Sequence, residues 1–271
     1  MSTAVRFESV RYRYPGGIEA LRGVSLAVDT GERVAIVGEN GAGKTTLVRH
    51  LNGIFRPTEG SVYVGETSTH GQTIAQLAAQ VGYVFQNPDE QLFARTVQAD
   101  VEFGPRNLGL TPDEAAARAA SALATVQLTA EAGAHPHHLS LSERKRVALA
   151  GVLAMRTPVV VLDEPTTGQD ARGVEMIAGV VESLTAEGRT IIAITHDMDF
   201  CAEHFDRVIV MAAGEILADG HPREVFAQAD ALARAAIEPP QLFRLAAHLG
   251  WRSGPLTPAE FVDAFSAEAT A

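Results

Sequence analysis

Long apolar runs are missing from this chain of 271 residues. Its compact apolar runs, such as Val159–Leu162 and Ile191–Ile194, fall far short of the roughly 18–20 residues that cross a bilayer. The chain is therefore not expected to span a membrane by itself. The N-terminal stretch "MSTAVRFESV" lacks the charged-then-apolar pattern of an export signal. One cysteine, Cys201, excludes an internal disulfide and fits a reducing cytosol. Basic residues are in the minority: 22 Lys and Arg against 33 Asp and Glu leave a formal net charge of -11. A nucleic-acid coat needs clustered Lys and Arg to neutralise phosphates, so no nucleic-acid partner is expected. A small phosphate ligand needs only local donors and stays compatible with this charge. Internal repeats, low-complexity linkers and long heptad runs are also missing, so there is no coiled-coil insertion.

Apolar residues nevertheless make up 46% of the chain, enough for a substantial core in one large domain with an appendage. Residues 1–30 read as short strands around the turn "RYPGG". Residues 31–215 alternate apolar β-like runs with helical stretches, the pattern of a mainly parallel α/β sheet. "RVAIVG" (33–38), "VVVLDE" (159–164) and "TIIAITH" (190–196) are compact enough to be strands buried on both faces. Residues 112–130 are Ala-rich and helical. "VIVMAAGEILADG" (208–220) reads as a hairpin turning near Ala213 and Gly214. From about residue 222 the chain becomes helical again, interrupted by "EPPQ" and "SGPLTPAE".

The stretch Gly38, Glu39, Asn40, Gly41, Ala42, Gly43, Lys44, Thr45 matches G-x-x-x-x-G-K-[ST], after a strand-like run and before a helical one. Glycines in such a loop let backbone N–H groups converge on phosphate oxygens without a Cβ in the way. The helix that follows adds its positive end. Lys44 offers a point charge to the β- and γ-phosphates, and the Thr45 hydroxyl can hold Mg²⁺. Asp163 and Glu164 end the apolar run "VVVLDE", at the strand edge where ligands of parallel α/β sheets sit. Asp163 is then placed in the Mg²⁺ shell, and Glu164 as the base that polarises the attacking water. His196 ends the next apolar run and should emerge on the same edge, able to contact the γ-phosphate and hold that water in line.

The segments between these motifs resemble the ABC transporter ATPases, over about residues 5–245. The resemblance implies a P-loop ABC-type ATPase domain over 1–221, with an N-terminal antiparallel β subdomain and a helical subdomain at about 87–157. A C-terminal helical extension (222–271) would follow, with a subunit-contact role. Tyr14 stands where that family stacks an aromatic on adenine, with Tyr12 as the rival; Thr46 closes the nucleotide-binding set. "YVFQNPDEQLF" (83–93) resembles the Q-loop, in which Gln86 would coordinate Mg²⁺ and the attacking water and sense a membrane partner. "TTGQD" (166–170) stands at the place of the D-loop, which crosses a dimer interface near Asp170. "FQNPDEQLFARTVQADVEFGPRNLGL" and the late "EPPQ" narrow the resemblance to the energy-coupling-factor ATPases. These are paired subunits on the cytoplasmic face of the membrane that drive uptake of a vitamin or a transition-metal ion. They grip a transmembrane coupling protein, which in turn holds a substrate-binding membrane protein. The stretch after Gln86 would lie in the groove that receives the coupling protein's helices.

One segment departs from the family pattern. The signature L-S-G-G-Q is here Leu139-Ser140-Leu141-Ser142-Glu143. In the family it caps the γ-phosphate of ATP held by the opposite subunit, so Ser140 would act in trans. Ser140 and Glu143 keep the spacing of a capping box, worth roughly 1 kcal/mol to the helix start. Side chains at 141 and 142 would hold a phosphate farther off. Glu143 adds negative charge that Arg144, Lys145 and Arg146 would offset if they are not merely solvated. The altered signature leans toward a heterodimer, with a homodimer still open. "HPHH" (135–138) is too irregular, around Pro136, to be read as a metal site. The activity implied is ATP hydrolysis coupled to transport. The alternatives are a soluble ABC ATPase acting as a clamp in DNA repair or translation, which usually carries long coiled coils, and a small-molecule kinase, in which Gln86, Ser140 and Asp170 would have no role.

Overall fold

The computed structural model describes residues 2–251 and 254–268. Strand β1 (Thr3–Arg13) pairs antiparallel with β2 (Glu19–Asp29). β3 (Arg33–Val37) leads into helix α1 (Lys44–Val48). β4 (Glu59–Val64) and the two-residue β5 (Thr67–Ser68) extend the first sheet, in the order β2-β1-β4-β5. The short α2 (Ile74–Ala78) precedes β6 (Val81–Val84). Then α3 (Val97–Asn107), α4 (Pro112–Thr125) and α5 (Leu141–Met155) pack on one another. β7 (Val159–Asp163), α6 (Ala171–Ala186), β8 (Thr190–Ile194) and α7 (Met198–His204) follow. The hairpin is β9 (Arg207–Ala212) and β10 (Glu215–Gly220). The chain ends in α8 (Pro222–Phe226), α9 (Ala229–Arg234), α10 (Gln241–His248) and α11 (Pro258–Glu268).

The second sheet has the order β10-β9-β3-β8-β7-β6, parallel throughout except for β10. Its strands read as solid apolar runs because both faces are covered. Val34, Val161, Ile192 and Ile209 enter the core shared with the antiparallel sheet, while their neighbours Ala35, Val160, Ile191 and Val208 enter the core beneath the helices. With the interior side chains of β3, β7 and β8 consumed by packing, polar chemistry is displaced to the strand ends. The register then matters: β3, β8 and β7 run side by side with Ile36 opposite Ile194 and Ile194 opposite Asp163. The loops after these three strands therefore leave the sheet at one edge.

The α/β class, the parallel sheet and the 208–220 hairpin agree with the sequence. Ala213 (φ 49°) and Gly214 (φ 82°) form the hairpin turn with two left-handed residues, which suits the strand twist. The N-terminal strands differ from the expected short ones. β1 and β2 each run 11 residues, but the β1 register shifts between Phe7 and Val10 around Ser9 at φ 47°. That bulge breaks the period-2 pattern and makes one long strand read as two.

Ile192 is 1% exposed at the centre of the sheet. Ile192→Ala is expected to destabilise the protein by about 2–5 kcal/mol, because neighbouring strands hold the cavity open. The measurement is urea unfolding of the two proteins; a shift below 1 kcal/mol would show that the sheet relaxes around the gap.

Candidate functional site

β3 delivers the chain to Gly38 in a backbone only glycine tolerates there: φ is 151°, and a Cβ would stand 2.1 Å from the Met211 carbonyl oxygen. At Gly41 (φ 86°) a Cβ would meet nothing within 4 Å, because this is the open mouth of the loop, where Glu39 and Asn40 are also exposed. Ala42, Gly43 and Lys44 are buried behind it. The Lys44 ammonium turns into the loop and donates to the carbonyls of Gly38 (2.6 Å) and Glu39 (2.9 Å). Burial pushes its pKa down, opposed by the carboxylates of Glu164, Asp163 and Glu39. The Glu39 N–H donates to the Ala235 carbonyl (3.2 Å), so the segment after α9 braces the loop from the C-terminal side.

Of the two N-terminal tyrosines, Tyr14 reaches the loop. Its hydroxyl is 2.8 Å from Thr46 Oγ1. Tyr12 instead stacks on Phe55, with ring centroids 4.9 Å apart, and meets His50 edge-on.

Asp163 and Glu164 emerge beside the loop and are held differently. One Asp163 oxygen, Oδ1, lies 3.5 Å from Thr45 Oγ1, a separation suited to two oxygens facing one cation rather than to a strong hydrogen bond. The other, Oδ2, accepts a 2.8 Å hydrogen bond from the Tyr83 phenol. Burial raises the Asp163 pKa, and the Tyr83 bond opposes that rise. Burial and the adjacent Asp163 charge push the Tyr83 phenol well up, so it remains a donor. The residues present thus fit a magnesium–phosphate group: a glycine-mouthed loop, a buried ammonium, and a hydroxyl and carboxylate turned to one point.

Glu164 sits at φ 53°, a left-handed conformation that costs a non-glycine residue about 1–3 kcal/mol. Four bonds hold it there. Its N–H donates to the Ile194 carbonyl (2.9 Å). Its own carbonyl accepts from Lys145 Nζ (2.9 Å). Its carboxylate Oε2 accepts from Thr167 Oγ1 (3.2 Å) and from His196 Nδ1 (2.6 Å). His196 is open to solvent beyond that contact, with 68% of its side chain exposed. Gln86 lies exposed just past β6, outside the bonds that fix the two acids.

Ser140 and Asp170 form a second, outward-facing group. Ser140 is exposed and caps the 15-residue α5 with a full capping box: its Oγ accepts from Glu143 N–H, and its own N–H donates to Glu143 Oε2 (2.8 Å). Asp170 caps α6 through Gly173 N–H (2.8 Å). The two helix starts are tied together: Ser142 Oγ donates to Gln169 Oε1 (2.7 Å), and Gln169 Nε2 donates to the Ser142 carbonyl (3.2 Å). The basic run after Glu143 is mostly spent on other partners, with the Arg146 charge still offsetting that of Glu143 as expected. Arg144 pairs with Asp89, Lys145 is buried against Glu164, and Arg146 donates to the Val126 carbonyl. Helix geometry explains this, because Lys145 falls four residues before Leu149 and seven before Val152, on the buried face of α5.

Beside the acids runs an apolar groove of about 880 Å³, whose lining includes Ile54, Ile74, Phe85, Phe93 and Phe103. Ile74, Phe93 and Phe103 are roughly half exposed or more, and the rings of Phe93 and Phe103 meet edge-on at 4.7 Å. Gln91 anchors this wall: its Oε1 accepts from Phe85 N–H (3.2 Å) and its Nε2 donates to the Ala148 carbonyl of α5 (3.0 Å). Among the described residues no three His, Cys, Asp or Glu side chains gather as a metal cluster, the 135–138 histidines included.

Sequence reasoning missed Tyr83, Gln91, Lys145 and Gln169. A buried polar side chain on an otherwise apolar face was the available signal for Tyr83 and Lys145.

The sequence profile of a family described as "ABC transporter" matches residues 21–167. The chain is 44% identical over 239 residues to the energy-coupling factor transporter ATP-binding protein EcfA of Methanothermobacter thermautotrophicus, covering 88% of this chain and 77% of that protein. It is 43% identical over 248 residues to the cobalt import ATP-binding protein CbiO of Rhodobacter capsulatus, covering 91% and 89%. Among solved structures it is similar to cbiO1 from Clostridium perfringens, part of the ABC transporter complex cbiONQ. That match has a TM-score of 0.76 and 36% identity, over 92% of this chain and all of that one. It is also similar to the dimeric, post-hydrolysis cassette MJ0796 bound to ADP and Pi, with a TM-score of 0.74 and 28% identity over 80% and 98%.

Tyr83→Phe removes the donor to Asp163 Oδ2 while leaving the loop intact. A hydrogen bond to a charged group is worth about 1.5–3 kcal/mol, so magnesium-dependent ATP affinity is expected to fall about ten-fold or more. Calorimetric titration with and without magnesium checks this: equal losses in both would place Tyr83 in folding and not in holding Asp163.

Proposed function

The chain belongs to the ABC transporter family, and from that premise we propose that it is the ATP-binding and hydrolysing subunit of an energy-coupling-factor type importer. The observation that carries this reading is one edge of one sheet. There the glycine-mouthed loop, Asp163, Glu164 and His196 converge, and the apolar groove opens beside them. Nucleotide phosphates would be held by the backbone of Gly38–Thr45, by Lys44 and by Thr46, with adenine against Tyr14. Magnesium would be held by Thr45 and Asp163, with Gln86 joining from the loop after β6; when bound it neutralises charge on the phosphate oxygens. Glu164 accepts the proton of the attacking water, and His196 fixes the carboxylate that does so. Reaction here depends on position and charge, with no covalent enzyme intermediate.

Ser140 and Asp170 are exposed at the starts of α5 and α6. They would act at a partner's nucleotide, where the N-terminus of α5 would cap the phosphate. A second ATPase subunit, identical or related, completes each site. No described helix is long and apolar enough to cross a membrane. The membrane-spanning parts would therefore be other chains, a coupling protein and a substrate-binding protein, with this subunit on the cytoplasmic face. Helices of the coupling protein suit the groove of Phe93 and Phe103, since exposed aromatic anchors in a concave apolar wall are how helices dock. Movement of the loop after β6 would pass through Gln91 into that wall. The cargo would be a vitamin or a transition-metal ion, in line with a cobalt-importing relative. The C-terminal extension presents Leu245, Leu249, Val262 and Phe265 at 46–62% exposure, a face for contact between subunits.

Glu164→Gln keeps the binding groups and removes the base. It is expected to bind MgATP as tightly as wild type and accumulate as an ATP-bound dimer, with turnover reduced about 100-fold or more, at the low end of what a general base supplies. Gel filtration in MgATP and phosphate release check it, and wild-type turnover would remove Glu164 from the role. Tagged chain extracted from native membranes in mild detergent is expected to bring a polytopic membrane protein with it; recovery with none overturns the importer reading and leaves the ATPase one standing.

A further inference from the structure

Among the described residues, Lys145 is the one side chain of α5 that hydrogen-bonds the backbone of Glu164. We infer that Lys145 is a positioning residue for hydrolysis: it holds Glu164 in its left-handed backbone by gripping the Glu164 carbonyl, and so aims the Glu164 carboxylate.

A left-handed non-glycine residue persists only where its surroundings over-determine it. At Glu164 (φ 53°) the N–H is fixed by the Ile194 carbonyl of β8, and the carbonyl by Lys145 Nζ at 2.9 Å. These two bonds grip the peptide groups on both sides of the residue. The carboxylate is then free to meet Thr167 and His196. If the carbonyl bond is lost, the following peptide can rotate toward an ordinary conformation, and the carboxylate turns with it.

The lysine itself is 7% exposed. Burying an ammonium is costly without compensation, and here the Glu164 carbonyl is its hydrogen-bond acceptor, with the two carboxylates of Glu164 and Asp163 supplying opposite charge. A methionine of similar length would fill the same space at lower desolvation cost. The charge is therefore spent on the Glu164 backbone and not on filling the core. Lys145 stands five residues after Ser140 on α5. The helix that would cap a partner's phosphate thus also holds this chain's own base, and a shift of α5 reaches Glu164 through a single hydrogen bond. That gives the paired sites a route by which capping one adjusts the other.

The inference rests on the ATPase reading above. It is tested in the complex recovered from membranes, with four forms of this subunit: wild type, Lys145→Met, Glu164→Gln and the double variant. MgATP affinity is measured with a fluorescent ATP analogue, and turnover by phosphate release. Lys145→Met is expected to bind MgATP within two-fold of wild type and to lose at least ten-fold in kcat. In the Glu164→Gln background the same change is expected to cost less than two-fold, because Lys145 acts only through Glu164 and effects within one unit do not add. A residue that merely stabilises the fold would lose equally in both backgrounds, and that result overturns the inference, as does unchanged kcat in Lys145→Met. Should Lys145→Met fail to bind nucleotide, Lys145→Leu, which also removes the donor to the Glu164 carbonyl, takes its place in the cycle under the same criteria. A wild-type complex that neither binds nor hydrolyses MgATP overturns the ATPase reading itself, whereas normal wild-type turnover with an inert Lys145 overturns only this assignment.

Discussion

The parallel register of β3, β8 and β7 is the constraint on which the rest of this molecule depends. Side chains along these strands are committed alternately to two cores, and neither core has room for a polar group without a partner. Chemistry is left to the first residues beyond the strands. Because the strands are aligned residue against residue, those first residues are Gly38, Glu164 and Thr195–His196, which leave the sheet at one edge, and Glu164 bonds His196 there. A shift of β7 by one residue would turn Val161 and Leu162 to the wrong faces. It would also withdraw Asp163 from Thr45. The same packing that makes the sheet stable therefore sets the distance between loop and acids.

Charge at that edge is balanced within a few ångströms. Two ammonium groups, Lys44 and Lys145, and two carboxylates, Asp163 and Glu164, are buried together. Burial pushes both lysines down and the carboxylates of the acids pull them back. Lys44 spends its hydrogen bonds on loop carbonyls and Lys145 on the Glu164 carbonyl. One lysine therefore serves the glycine-rich loop and the other the backbone of Glu164. Tyr83 completes the division by occupying the Asp163 oxygen that points away from Thr45. Each acid has one side fixed by the protein and one side left for chemistry.

What the sequence made legible follows from how local each signal is. The loop, the acid pair and His196 were readable because each lies at the end of an apolar run, and the order of run then polar residue survives in the string. The hairpin at 213–214 was readable for the same reason. β6 was hidden because "VGYV" is only four residues of strand ending in a segment whose motif pointed elsewhere. β4 and β5 carry too few apolar residues to be told from loop. Tyr83 and Lys145 were hidden for a different reason. Their partners lie 80 and 19 residues away in sequence, and a polar residue on a buried face announces that it has a partner without saying which. Lys145 was further masked by Arg144 and Arg146, since three adjacent bases look like one solvated run although a helix sends them to three directions.

The segment Leu139–Glu143 shows how a helix start without glycines is fixed in place. Glycine at 141 and 142 would allow close approach and leave the start of α5 conformationally loose. Here the capping box of Ser140 and Glu143 fixes the first turn, and the paired Ser142–Gln169 bonds fasten it to the segment that ends at Asp170. Arg144, paired with Asp89, fastens the next turn to the segment after Gln86. Three surfaces that would all face partners, the start of α5, the 166–170 turn and the groove wall, are thereby held as one piece. Leu141 stands 47% exposed on that piece, so the side chain that most changes the surface offered to a partner is apolar and uncharged. The Glu143 carboxylate binds the Ser140 hydroxyl and N–H, which lower its pKa and keep its charge tied to the cap. The start of α5 is thus held to the 166–170 turn and to the segment after Gln86.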